Sequence, residues 1–248
     1  MQLSVAGCLS RQQNRLFSSL MDQLAVKLGF EVVVTTPETA HIVYMCGLPT
    51  GLALDRLAPW VAPVMNDPGY HGLPIYFSDL VTRPDFEPRT WLDLVGTRFA
   101  YNESLSFSGS VAVRLEMQRR SLPAAFFDWR RTGSHRASLD LVMTGEADVA
   151  AIDSMVLDLE GPPREEVTVF ARLGPYPMPP ISTSRTLDEY LRKEATELMV
   201  SLHQDVAGRQ SLEEFGISHL VRVDEAPYRS MGESVSDLDL SSPDSDVA

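Results

Sequence analysis

The stretch QLSVAGCLSRQQNRLFSSLMDQLAVKLGFEVVV, residues 2–34, decides the fold. Residues 3–7 are a short apolar run that ends in glycine, and residues 30–34 are a second run rich in valine. Both runs predict buried strands, and the segment between them predicts a helix. A third apolar run at 41–45 follows after a short connection. Strand, helix and strand in this order predict a right-handed parallel unit, and therefore an α/β fold.

The helix inside this stretch carries clear start and stop signals. Ser10 and Gln13 have the spacing of a capping box, in which each side chain bonds the other residue's backbone N–H. Gly29 suits the left-handed residue that commonly ends a helix. Between these signals the apolar residues recur at helical spacing, at Leu16, Leu20, Leu24, Val26 and Leu28.

The rest of the chain continues the alternation of strands and helices. We expect strands at 98–101, 124–129 and 148–152, and helices at 108–120, 134–144 and 186–206, the last being the longest. Prolines mark extended segments near 78–84 and 170–182. These segments predict that the chain leaves one lobe and later returns to it. The expected division is 1–82 plus 175–230 for a discontinuous first lobe, 83–174 for the second, and 231–248 for a flexible acidic tail.

Composition excludes several functional classes. The 248 residues include 34 acidic and 21 basic side chains, for a net charge of −13. This charge argues against nucleic-acid binding, which needs clustered positive charge. No apolar span is long enough for a membrane helix, and we expect no membrane insertion. The first residues lack a secretory signal, which predicts a cytoplasmic location, or a periplasmic one if a leader has been trimmed. The two cysteines and five scattered histidines predict neither a disulfide framework nor a metal site.

The segment YNESLSFSG, residues 101–109, is the first candidate binding motif. It follows a predicted strand and opens a predicted helix, where free backbone N–H groups and the helix dipole attract anions. Ser106 and Ser108 add hydroxyl donors, and Gly109 allows a ligand to approach the backbone. The alternative interpretation is an ordinary N-cap made by one of these serines.

Two further segments have the same ambiguity between binding and capping. His135, in TGSHRAS at 132–138, lies at another predicted helix start and offers a donor to an anion. Asp153, in GEADVAAIDS at 145–154, lies just past a buried strand, where the ligand-binding residues of open sheets are found. The alternative role of Asp153 is to cap the helix that begins at the next residue.

Together these segments resemble the phosphate, phosphite and phosphonate-binding proteins of ABC importers. The similarity extends through HIVYMCGLPT (41–50), LPIYFSDLVTR (73–83), GPYPMPP (174–180) and LVRVDEAPY (220–228), in the family's order. It implies the type 2 periplasmic-binding-protein fold, with two α/β lobes and a ligand cleft between them. It also implies a set of binding residues, namely Thr50, Tyr76, Ser106, Phe107, Ser108, Gly109, His135 and Asp153.

Each of these residues has a role implied by its position in the family pattern. Ser106, the Phe107 backbone and Ser108 match the family's phosphoryl-binding S-x-S-G, and His135 matches the histidine that assists them. Tyr76 matches an aromatic wall, and Asp153 an acidic residue facing the far end of the ligand. Thr50 stands where many members have tyrosine.

The function expected from sequence is therefore a non-catalytic solute-binding protein without a cofactor. It would close its hinged lobes over a small anion such as phosphate, phosphite or a phosphonate, with an ABC permease as a possible partner. The alternatives are a cytosolic enzyme of the decarboxylase or lyase type, or a ligand sensor, on the same fold. Cys8 and Cys46 end two strands expected to be neighbours, and we expect both thiols to stay reduced.

Overall fold

The computed structural model describes residues 2–83, 85–163, 166–236, 238 and 240. Within these residues the strands are β1 (Gln2–Gly7), β2 (Glu31–Val34), β3 (Ile42–Tyr44), β4 (Leu57–Met65), β5 (Ile75–Thr82), β6 (Arg98–Tyr101), β7 (Asp128–Arg131), β8 (Val149–Asp153), β9 (Thr168–Pro177), β10 (Ile181–Ser184) and β11 (Ile217–Arg222). The α-helices are α1 (Arg11–Leu28), α2 (Gly47–Leu52), α3 (Ala112–Arg119), α4 (His135–Met143), α5 (Ser154–Glu160), α6 (Glu189–Ser201), α7 (Val206–Glu213) and α8 (Ala226–Glu233).

The chain forms two compact units. The first contains the residues up to Ile75 and Pro177–Ser234, and the second contains Tyr76–Tyr176 with the described residues after Ser234. The sequence had placed these crossings at 82 and 174. The first crossing comes earlier because β5 belongs to the second unit, where it pairs antiparallel with β8 from Ser78 to Thr82.

The first unit is built on a six-stranded mixed sheet in the order β11-β4-β10-β3-β1-β2. β1 pairs parallel with both β2 and β3, as the opening stretch predicts. The capping box of Ser10 and Gln13 begins α1, and Gly29 ends it with φ 70°. β10 and β11 join this sheet antiparallel to their neighbours, after the chain has returned from the second unit.

The second unit is built on a five-stranded sheet in the order β7-β6-β8-β5-β9. Both faces of this sheet are buried, and successive strand residues alternate between them. Phe99 packs on one face, with its ring 4.6 Å from Phe127 and 4.9 Å from Trp129. Ala100, the next residue, packs on the other face with Ile152. The α/β fold class expected from sequence is confirmed.

Two expected elements differ in the structure. Residues 124–126 form a 3₁₀ turn after Pro123, and the strand begins only at Asp128, so the expectation of a strand at 124–129 was wrong. Phe126 and Phe127 are nevertheless buried. Their apolar character therefore reflects core packing, which this sequence achieves through a turn.

The long C-terminal helix expected at 186–206 is in fact divided. α6 ends at Ser201, and a separate helix, α7, begins after Asp205, whose side chain accepts a hydrogen bond from Gly208 N at 2.7 Å. The longest described helix is α1, with 18 residues. Residues 231–233, expected in a flexible tail, lie in α8; residues 237, 239 and 241–248 of that tail lie outside the described residues.

Candidate functional site

The two loops that carry the first two motifs lie side by side in the second unit. β6 and β7 are parallel, with Tyr101 opposite Arg131, so the loops leave the same edge of the sheet. Thr132 N donates to the Tyr101 carbonyl at 2.8 Å, and Gly133 N donates to the Asn102 carbonyl at 3.0 Å. Strand register therefore brings together two segments that are separated by about thirty residues.

Ser106 begins the helix of the first motif. Its Oγ accepts a hydrogen bond from Gly109 N at 3.2 Å, and its carbonyl accepts from both Ser110 N and Val111 N at 3.1 Å. The capping interpretation of Ser106 is thus correct. The first turn, Phe107–Val111, is π-helical before it passes into α3. Such local π turns are frequent at functional sites.

Ser108 is the point at which three segments meet. Its Oγ lies 3.2 Å from His135 Nε2, and its carbonyl accepts a hydrogen bond from Ser78 Oγ on β5 at 2.7 Å. The side chain is almost fully buried, with 1% of its surface exposed. The structure therefore brings Ser108 and His135 together, as the family resemblance implies.

His135 is the first residue of α4, which Ser134 caps through a hydrogen bond from Ala137 N at 3.1 Å. Burial lowers the pKa of His135 to about 4, an effect that the Ala151 carbonyl partly opposes. The imidazole is therefore neutral at pH 7, with one nitrogen that donates and one that accepts. An anion placed beside the ring would favour its protonated form.

Gly109 allows an unusually close approach of a side chain to the helix start. A Cβ at this position would lie 1.9 Å from Asn102 Oδ1 and 3.1 Å from Ser106 Oγ. The first distance is far below any real Cβ contact, so even alanine would displace Asn102. Glycine at this position thus leaves the space that the Asn102 carboxamide occupies.

An aromatic cluster packs behind the first motif. Tyr76 is fully buried at the start of β5, with its ring 6.1 Å from that of Tyr176. Tyr176 also makes an edge contact with Phe107, at 4.8 Å between ring centroids. Burial and the nearby Glu116 carboxylate raise the pKa of Tyr176 to about 12. Sequence reasoning missed Tyr176, although it lies in the GPYPMPP segment that carries part of the resemblance.

Asp153 is the last residue of β8 and caps α5. Its Oδ1 accepts hydrogen bonds from Met155 N at 2.8 Å and Val156 N at 3.3 Å. Burial, with a smaller contribution from the Asp79 carboxylate, raises the pKa of Asp153 to about 7 against the two amides, which lower it. The capping interpretation is therefore correct, and it leaves open a second role for a carboxyl group that titrates near neutral pH.

Thr50 belongs to the other unit and is placed differently from the rest of the expected set. It lies within α2, fully buried, and its Oγ1 donates to the Cys46 carbonyl at 3.1 Å. Its hydroxyl is thus already engaged within its own helix. The other seven expected residues lie in the second unit.

The second-unit cluster offers hydrogen-bond donors to an anion, but its geometry does not form a nucleophilic triad. Ser108 is buried, and both described bonds of Asp153 go to backbone amides of its own helix. A carboxylate that oriented His135 would raise its pKa, whereas burial lowers it. Among the residues that the structure describes, no group of three or more metal-ligating side chains is found.

Comparison with known proteins gives one family and several similar structures. The family model for the periplasmic substrate-binding proteins of phosphonate ABC transporters matches residues 8–228. No curated protein matches the chain. PhnD1 from Prochlorococcus marinus, solved with methylphosphonate, is 17% identical with a TM-score of 0.78, over 94% of this chain and 97% of that one.

Two other solved structures agree in fold. A binding component of a phosphonate ABC transporter from Pseudomonas aeruginosa is 13% identical, with a TM-score of 0.79, over 94% of this chain and 85% of that one. A Xanthomonas citri protein bound to ATP is 15% identical, with a TM-score of 0.71, over 94% and 96%. At these identities the structures establish the fold of the chain.

Proposed function

Because this chain belongs to the family of periplasmic substrate-binding proteins of phosphonate ABC transporters, we propose that it binds a small phosphonate-like oxyanion at the cluster of its second unit. The observation that carries the proposal is the meeting of Ser108 with His135 at 3.2 Å, next to the helix start that Ser106 caps. Two hydroxyls, an imidazole and backbone N–H groups converge there, and all of them are able to donate hydrogen bonds to an anion.

The donors act together on the oxyanion. Ser106 and Ser108 turn their hydroxyl hydrogens toward ligand oxygens, and the backbone of Phe107 and Gly109 adds the partial positive charge of the helix start. His135, neutral in the free protein, gains a proton more readily beside a bound anion. About four such bonds give an affinity on the order of micromolar after the ordering costs of binding.

The remaining expected residues have supporting roles in this proposal. Tyr76, packed with Tyr176, walls the cluster on its apolar side. Asp153, whose pKa of about 7 lets it carry charge near neutral pH, would face a cationic far end of the ligand such as an amine.

The family assignment also bears on the alternatives. A substrate-binding family indicates a non-catalytic role with a permease as partner. Neither the enzyme nor the sensor alternative has a supporting observation of its own. The family is periplasmic, and the described chain contains no helix long and apolar enough to cross a membrane. The expected cytoplasmic location gains no support from this, and we propose that the protein acts in the family's compartment.

The test is calorimetric titration of the purified protein with methylphosphonate, phosphite and phosphate. We expect at least one of them to bind, and the double variant Ser106→Ala with Ser108→Ala to bind it several-fold to a hundredfold more weakly. The loss is limited because the backbone donors remain. A control with Ser18→Ala and Ser230→Ala removes two exposed helix hydroxyls in the first unit and should bind normally. Unchanged binding by the Ser106 and Ser108 double variant would place the anion elsewhere.

A further inference from the structure

Asn102 is the first residue after β6, in the loop that leads to the candidate anion site. Its backbone carbonyl accepts a hydrogen bond from Gly133 N at 3.0 Å, which joins this loop to the loop before His135. The backbone of Asn102 is therefore held between the two loops that supply the donors of the site. Its side chain has no place in the proposed set of binding residues.

The side-chain oxygen of Asn102 is buried and makes no hydrogen bond to any residue that the structure describes. Buried acceptors in folded proteins nearly always have a donor, because leaving one unpaired costs the desolvation of that group. An unpaired acceptor within a binding cluster is explained when the bound ligand supplies the missing donor.

The position of this oxygen ties it to the anion site. Asn102 Oδ1 is 1.9 Å from the point where a Gly109 Cβ would stand, and Ser106 Oγ is 3.1 Å from the same point. The glycine of the first motif thus makes room for the carboxamide against the helix start, next to the capping hydroxyl. The Asn102 acceptor thus lies beside donors of the candidate anion site.

We propose that Asn102 is a specificity-determining residue that accepts a hydrogen bond from a protonated oxygen of the ligand, an inference that rests on the proposed function. Hydroxyl and N–H groups satisfy the unprotonated oxygens, but a P–OH group needs an acceptor. Phosphoryl groups with a second pKa of about 6 carry such a hydroxyl at pH 5, whereas a sulfonate of the same shape and charge does not. The protein therefore selects hydrogen phosphonates over sulfonates.

The test compares methylphosphonate with methanesulfonate at pH 5, by calorimetry at ligand concentrations up to millimolar. Both ligands are monoanions there, so titration of His135 or Asp153 affects the two alike. The wild type should prefer methylphosphonate. Asn102→Ala should lower methylphosphonate affinity roughly tenfold, the effect of about one hydrogen bond, and leave methanesulfonate affinity within about twofold. Asn66→Ala, at an exposed asparagine of the first unit, is the control and should change neither affinity.

A second variant separates hydrogen bonding from packing. Asn102→Leu fills the space of the carboxamide with a side chain of similar size that cannot accept a hydrogen bond. It should show the same loss of selectivity as Asn102→Ala, even if Asn102→Ala folds poorly. Retention of the full preference by either folded variant would overturn the inference.

Three other results also decide the matter. An equal loss for both ligands in Asn102→Ala would mean that Asn102 donates or only supports the loop, and would overturn the acceptor role. Equal binding of methylphosphonate and methanesulfonate by the wild type would also overturn the acceptor role. Binding of neither ligand by the wild type would overturn the proposed function itself, and this inference with it, which distinguishes the two failures.

Discussion

Replacement of Asp153 by asparagine should raise the free energy of unfolding, relative to that of the wild type, more at high pH than at low pH. Asparagine keeps an Oδ1 that accepts from Met155 N and Val156 N, but it does not ionise. Burial raises the pKa of Asp153 in the folded protein from 3.8 to about 7. The folded state therefore holds a proton that the unfolded state has released between these values. This contribution to stability is present at low pH and is lost as pH rises toward 7.

The size of the effect follows from the shift. Each pKa unit corresponds to about 1.36 kcal/mol, and Asp153 is nearly fully buried, so solvent screening is small. At pH 5, two units below the folded pKa, the retained proton contributes about 2.7 kcal/mol; at pH 8 it contributes almost nothing. The free energy of unfolding of Asp153→Asn, relative to wild type, should therefore rise by about 2.5 kcal/mol from pH 5 to pH 8.

Other titrating groups cancel in this comparison. The pKa of His135 is lowered from 6.5 to about 4, so its burial costs stability as pH falls below 6.5, but equally in both proteins. Urea unfolding at pH 5, 6, 7 and 8, followed by tryptophan fluorescence, measures the difference. Asp55→Asn, at an exposed aspartate, is the matched control and should show no such trend. A difference between Asp153→Asn and wild type that stays constant across this range would refute a raised pKa at Asp153.

Two further predictions concern the first unit. Gly51→Ala should lower the free energy of unfolding by about 3 kcal/mol, because its Cβ would lie 2.1 Å from the Tyr228 carbonyl oxygen and push α2 away from α8. Thermal melts measure this loss. Leu52 is half exposed on the same helix, so the control variant Leu52→Ala should stay within about 0.5 kcal/mol of the wild type. Cys8 and Cys46 form no disulfide within the described residues, and Cys8, the more exposed of the two, should react first with a thiol reagent, yet slowly because partial burial of the thiol raises its pKa. A native protein without titratable thiols after non-reducing purification would contradict this.

The amino-acid sequence by itself determined the ends of α1 and the fold class. The capping box of Ser10 and Gln13 and the left-handed Gly29 bound α1 as predicted, because each signal acts within one helical turn. Helix capping by Ser106 and by Asp153 was likewise among the alternative interpretations that the sequence left open. The order of strands and helices was then sufficient to predict the α/β fold class, and the sequence motifs were sufficient to predict the family.

Only the tertiary structure decided which side chains of the second unit meet. Ser108 touches His135, 27 residues later, and accepts from Ser78, 30 residues earlier, because β5, β6, β7 and β8 are aligned in particular registers. The contact of Tyr176 with Phe107 also depends on how β9 adds to the sheet. Strand register is fixed by the packing of both sheet faces at once, a collective property that no short stretch of sequence encodes.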